Sequence, residues 1–203
     1  ASKPRPPLRI AAPSRLSEDR APVLSPFGPA RAAALHRGRL IHALLQVLPA
    51  LPPEERGQSA AAFLAQAPDL SDKAREEILT TTLKTLEAPD FKAIFAPGGR
   101  SEAAIVGTLA KGQMVNGRVD RLVITPEKIM IIDYKTDRPA PAAASDIGEA
   151  YLVQMAAYRA VMRALYPDGR PIEAALLYTD GPKLFALDPL LLSESLKRVT
   201  SPV

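Results

Sequence analysis

Two apolar runs separated by four residues constrain this chain more than any other feature: RVDRLVI (118–124), then Thr125-Pro126-Glu127-Lys128, then IMIIDYK (129–135). Short apolar runs bounded by turn residues read as buried strands, and Pro in the second place of a four-residue turn suits a type I turn. A tight hairpin follows. With Thr125 facing Lys128, Ile124 faces Ile129, Leu122 faces Ile131 and Asp120 faces Asp133. Directly opposed β-carbons lie roughly 5 Å apart, where like charges repel unless something intervenes. A divalent cation with hard oxygen ligands, such as magnesium, manganese or calcium, is one natural intervener. Asp133 and Lys135 stand two apart on a strand and project to the face of Asp120, so two carboxylates and an ammonium converge. A plainer reading is also open, in which the aspartates cap strand ends and Lys135 forms an ordinary salt bridge. That reading accounts for any one of the three residues. It accounts poorly for all three in strands apolar on both faces, because an unpaired buried charge is costly.

Around the hairpin the period of the sequence changes. PARAAALHRGRLIHALLQVL (29–48) carries Leu35, Ile41, Leu44, Leu45 and Leu48 at helical spacing. PEERGQSAAAFLAQ and SDKAREEILTTTLKTLEA predict two further helices, with a short one near DFKAIF and a break at PGGR. After residue 100 the segments AAIVGTLA, VNGRVDRLVI, KIMIIDYK, IEAALLYT and KLFAL read as strands, interrupted by one helical segment, IGEAYLVQMAAYRAVMRALY. Asp146 followed by Glu149 resembles a capping box at the start of that helix. The helix is long enough to cross over and make its flanking strands parallel. The order describes an α/β fold, a mixed central sheet flanked by helices with a helical N-terminal part.

At 203 residues the chain suits one domain. Residues 1 to 30 hold seven of the 21 prolines and show no period, so residues 1–28 read as a linker or strap and 29–198 as the domain. The first Met is Met114, which leads us to expect a piece of a longer polypeptide. Cys is absent, which removes disulfides, thiolate zinc, thiol nucleophiles and a cysteine-bound iron-sulfur cluster, and fits a cytosolic protein. No apolar run approaches the roughly 18 residues of a membrane helix. A formal charge of +4 suits a polyanionic partner.

GRVDRL, IIDYKTD, Gln154 and Tyr158 as QxxxY, and Gly38 and His42 as GxxxH together resemble the RecB-type branch of the PD-(D/E)xK nuclease superfamily. Within it, PSRLSE, ALHRGRLIHALLQVLP and QMAAYRAVMRALYPD look closest to the C-terminal nuclease domain of AddA-type helicase-nuclease subunits. The resemblance implies a restriction-endonuclease-like core and metal-dependent hydrolysis of DNA by water, with Mg2+ as cofactor and Mn2+ as substitute. It implies catalytic Asp120, Asp133 and Lys135, and a metal shell of His42, Asp120, Asp133 and the Tyr134 carbonyl. Gln154 and Tyr158 share a helix face, where they meet phosphate or the metal-site residues, or simply continue the core stripe of Tyr151, Val161 and Leu165. Glu102 resembles an accessory acid, and a solvated loop Glu is an equal reading.

The implied partners are unwound or single-stranded DNA ends, an upstream helicase motor in the same polypeptide and an AddB-like subunit, in the bacterial cytoplasm beside the nucleoid. ATP would serve only the motor, since no GxxxxGK[ST] occurs here. Basic residues at 37–39, 98–100, Arg118, Arg121 and 137–139 are candidates for a DNA track, and Asp137 is expected to hold backbone donors where the strand ends. A self-contained endonuclease and an inactive DNA- or subunit-binding module remain as alternatives.

Overall fold

The computed structural model describes residues 10–11, 28–109 and 112–200. Apart from Ile10–Ala11 and Gly28, the proline-rich start lies outside the described residues. The chain forms β1 (Ile10–Ala11), α1 (Pro29–Val47), α2 (Pro53–Ala65), α3 (Asp72–Glu87), β2 (Arg100–Thr108), β3 (Met114–Ile124), β4 (Ile129–Lys135), α4 (Glu149–Leu165), β5 (Ile172–Tyr178), β6 (Lys183–Ala186) and α5 (Pro189–Thr200). The strands make one mixed sheet in the order β1-β3-β4-β5-β6, and β2 also pairs with β3. The hairpin keeps the register expected from its turn, with Ile124↔Ile129 and Leu122↔Ile131 in antiparallel pairing. Its turn is closed by Thr125, whose N–H donates to the Lys128 carbonyl at 2.9 Å and whose hydroxyl accepts from the Lys128 N–H. α4 is the crossover that makes β4 and β5 parallel.

Each face of the sheet has its own core. Ile129 and Ile131 of β4 pack with Met155, Ala157, Tyr158 and Val161 of α4 and Leu192 of α5. Ile132 and Tyr134 pack on the other face with Ile41, Leu44, Leu45 and Leu48 of α1 and with Phe91, Ile94 and Phe95. Burying such an aliphatic side chain is worth about 1.5–3 kcal/mol, so α1 is held chiefly by its apolar stripe against the sheet. Among the described residues no helix is long and apolar enough to cross a membrane.

Three local expectations are corrected. The segment near DFKAIF makes only a 3-10 turn at Pro89–Phe91, not a helix of its own. Asp146 does not cap α4: its carboxylate accepts from the Ala143 N–H, closing a 3-10 turn, and the cap falls on Gly148. α5 was not anticipated, although Asp188-Pro189 starts it in an ordinary way, with the Asp188 carboxylate accepting from the N–H groups of Leu190 and Leu191.

Arg121 is also corrected. It is 4% exposed, and its guanidinium donates to the carbonyls of Ile94 and Ala96 and to Ser101 Oγ. Its charge therefore ties the loop before β2 to the sheet instead of lining a DNA track. Removing it leaves the Ile94 carbonyl without a donor and the Ala96 carbonyl with only the Gly99 N–H at 3.4 Å, and an unsatisfied buried carbonyl costs about 1–3 kcal/mol on top of the lost charged hydrogen bonds. In urea unfolding, Arg121→Ala should lose about 3 kcal/mol or more, against less than ~0.5 kcal/mol for the exposed Arg39→Ala.

Candidate active site

The site begins with a fault in a strand. Val115 and Val119 of β3 lie in the core under α4, and a β-carbon on Gly117 would collide with the Tyr158 ring of that helix. Two residues on, Arg121 and Val123 point to the opposite core. A regular strand alternates its side chains with period two, so the alternation breaks at Asp120. On β2, Glu102 drops out of the pairing between Ser101↔Arg121 and Ala103↔Val119. Its φ is 52°, in the left-handed region, where a side chain costs roughly 1–2 kcal/mol.

The break ends the β3–β4 ladder at Arg121↔Ile132. The next inward backbone donor of β4, the Tyr134 N–H, donates instead to Asp120 Oδ2 at 2.5 Å. A buried donor that loses its ladder partner must find another, and the carboxylate supplies it. The Ile129 N–H donates to the Pro171 carbonyl and the Lys135 carbonyl accepts from the Thr179 N–H, on the two residues that flank β5, so by alternation the Tyr134 carbonyl faces the gap beside Asp120.

α1 reaches this gap because Gly38 has no side chain: a β-carbon there would lie 2.8 Å from Thr136 Oγ1. His42, one turn along, then places Nδ1 3.0 Å from Asp120 Oδ1. Burial disfavours the charged ring, but the Asp120 hydrogen bond and the charges of Asp120 and Asp133 outweigh it, and the His42 pKa lies above its ordinary value. Asp133 is buried, with Oδ2 2.6 Å from Lys135 Nζ. Burial raises its pKa, Lys135 opposes the rise and Asp120 adds to it. Lys135 Nζ also lies 3.5 Å from Gln154 Oε1 and 3.7 Å from the centre of the Tyr151 ring.

The structure thus brings Asp120, Asp133, Lys135, His42 and the Tyr134 backbone to one gap, with Gln154 reaching it through Lys135. Tyr158 lies below, buried, its hydroxyl accepting from the Arg118 N–H at 3.3 Å and from Gln154 Nε2 at 3.5 Å. Glu102 sits across β3 and pairs with Arg118 at 3.5 Å. Arg37 and Arg138 meet at Glu77, so part of the supposed DNA track is an ion cluster beside the strand end. Among the described residues Asp137 holds no backbone donor, and its carboxylate accepts instead from the Tyr151 hydroxyl at 3.2 and 3.3 Å. A groove of about 770 Å³, lined by residues such as Lys128, Met130, Arg159 and Ile172, contains none of the site residues.

Among the described residues no three His, Cys, Asp or Glu side chains stand as a closed metal-ligand set. Asp133 is drawn to Lys135, and Asp120 to His42 and the Tyr134 N–H. The donor types fit a hard divalent cation nonetheless: two carboxylates, one carbonyl and one imidazole around a single gap.

No curated protein matches the sequence. Among solved structures, a protein from Eubacterium rectale described as a "putative exonuclease" superposes with a TM-score of 0.52 at 16% identity, over 82% of this chain and 63% of that one. The chain thus spans less than two thirds of that relative, and at this identity the likeness concerns the fold. SSO0001 aligns over 86% of this chain and 88% of its own at 14% identity, with a TM-score of 0.32, too loose to bear on the fold. Residues 16–199 match the family profile described as the PD-(D/E)XK nuclease superfamily, a span that runs from before α1 into the end of α5 and includes the whole gap. The chain belongs to the PD-(D/E)XK nuclease superfamily.

Proposed function

We propose that this chain is the nuclease domain of an AddA-type helicase-nuclease, a divalent-metal-dependent exonuclease that hydrolyses DNA phosphodiesters while break ends are processed for recombination. The observation that carries the reading is the meeting of Asp120, Asp133, Lys135 and His42 where β4 leaves β3, in a chain of this superfamily. An upstream helicase motor, an AddB-like partner, magnesium or manganese, and a place in the bacterial cytoplasm beside the nucleoid belong to the same proposal. So does the division of the chain into a strap at 1–28 and a nuclease domain at 29–198.

In this reading Asp120, Asp133, the Tyr134 carbonyl and His42 hold the cation. When bound, the ion polarises the phosphoryl oxygen and lowers the pKa of water. Asp120 is fixed for its task by the Tyr134 N–H, which orients one carboxylate oxygen and leaves the other towards His42. Lys135 supplies an ammonium to the negative charge that builds on the phosphate, a group no metal ligand replaces. Gln154 steadies that ammonium, with Tyr158 behind it. Glu102, paired with Arg118 across β3, is an accessory acid in this reading. The chain has no role for base edges in this scheme, so contacts run to phosphate and sequence preference is small.

Incubation with linear single-stranded DNA and magnesium should give cleavage that EDTA abolishes. Lys135→Ala should cut at least ~10²-fold more slowly while binding magnesium nearly as well, and Asp120→Ala should lose both properties. An uncut substrate with the parent protein would favour a module that only binds DNA or a partner subunit.

His42 offers an independent check. In the metal-free protein its ring, observed by NMR, should titrate above 6.5, because a folded-state proton is stabilised by Asp120. The stability this contributes is present below that value and lost as pH rises through the raised folded pKa. Magnesium should lower the midpoint, since cation and proton compete for the same site. An unmoved midpoint would remove His42 from the metal shell.

A further inference from the structure

Tyr151, Gln154 and Tyr158 stand at i, i+3 and i+7 of α4 and so share one helix face. Two of them touch Lys135. Gln154 offers an amide oxygen at 3.5 Å, and Tyr151 offers the face of its ring, with the ammonium 3.7 Å from the centre. The ring is itself clamped: its hydroxyl donates to both oxygens of Asp137, which lies two residues beyond Lys135 on the same segment. Burial and the Asp137 carboxylate raise the Tyr151 pKa, so the phenol keeps the proton it donates. The first turn of α4 is in this way stapled to the strand end that carries the lysine.

Asp133 and Tyr151 act on the Lys135 ammonium by different chemistry. Asp133, at 2.6 Å, forms an ion pair that neutralises the ammonium and competes with any phosphate for it. An aromatic face attracts a cation through its quadrupole, carries no net charge and accepts no conventional hydrogen bond. An ammonium seated there keeps its full charge and its N–H groups for a substrate oxygen. Resting on the nuclease reading above, we propose that Tyr151, clamped by Asp137, is a positioning residue. Its ring is the seat that holds the Lys135 ammonium when the Asp133 carboxylate is engaged elsewhere.

The seat can be observed in the full chain without turnover. Protons on the Lys135 ε-carbon, close above a ring, should resonate upfield of ordinary lysine values in NMR. Tyr151→Phe should keep that shift, whereas Tyr151→Leu, or Tyr151→Met should the leucine variant unfold, should lose it. In cleavage of single-stranded DNA the ringless variants should lose about tenfold in kcat with KM changed less than ~threefold, the order expected for one partly buried cation–π contact. Tyr151→Phe should remain within ~threefold of the parent. The proposal is overturned if the parent shows no upfield shift, if the ringless variants cut at the parental rate, or if Tyr151→Phe falls as far as Tyr151→Leu. A parent that does not cut DNA removes the nuclease reading instead, and the NMR shifts then decide the seat on their own.

Discussion

The Tyr134 N–H donated to the Asp120 carboxylate is the contact on which the rest of the site depends. A sheet that kept its ladder through this point would pair Tyr134 with β3 and leave no gap. The alternation of β3 fails at Asp120, opposite a Glu102 held at φ 52°, and the strands part there. Because the freed donor is satisfied by a side chain instead of by water, the opening can persist inside a protein. The same carboxylate faces His42, and a single residue thereby joins α1, β3 and β4.

Two glycines set the walls of the opening. Gly38 lets α1 lie against Thr136, which brings His42 to Asp120, and Gly117 lets Tyr158 of α4 lie across β3, which brings Gln154 and Tyr151 to Lys135. A side chain at either place would push a helix away from the strand end by an ångström or more, enough to separate groups that act at hydrogen-bond distance. The buried Asp133–Lys135 pair contributes little net stability, since desolvation offsets its attraction. Under the proposed function, its presence in the middle of an apolar sheet serves chemistry and not structural support.

Much of this was legible in the sequence because it depends on local rules. The Pro126 turn set the hairpin register, the helical stripe of Ile41, Leu44, Leu45 and Leu48 set α1, and the length of the segment before β5 set the crossover. What was not legible depends on tertiary placement. Strict alternation put Asp120 opposite Asp133, and nothing in GRVDRL signals that the alternation breaks there. Arg121 looked like a candidate for DNA because a lone arginine in a strand gives no hint of the carbonyls of Ile94 and Ala96 above it. By sequence alone Tyr151 reads as part of a core stripe and Asp137 as a loop residue, because their contact spans a turn of chain that only the fold closes. The start signal of α5 at Asp188-Pro189 is short and follows directly on the strand-like LFAL, so the sequence marks the strand more strongly than the helix.

We propose that the parting of β3 and β4 builds a cation site from Asp120, Asp133, the Tyr134 carbonyl and His42. A crystal structure of the protein soaked in manganese, with anomalous maps recorded at the manganese edge, tests it most directly. A strong peak is expected in the gap, within ligand distance of both carboxylates, with Lys135 released from Asp133 towards Tyr151. A gap that stays without a peak while Asp133 remains on Lys135, at manganese concentrations that saturate other sites in the crystal, would contradict it.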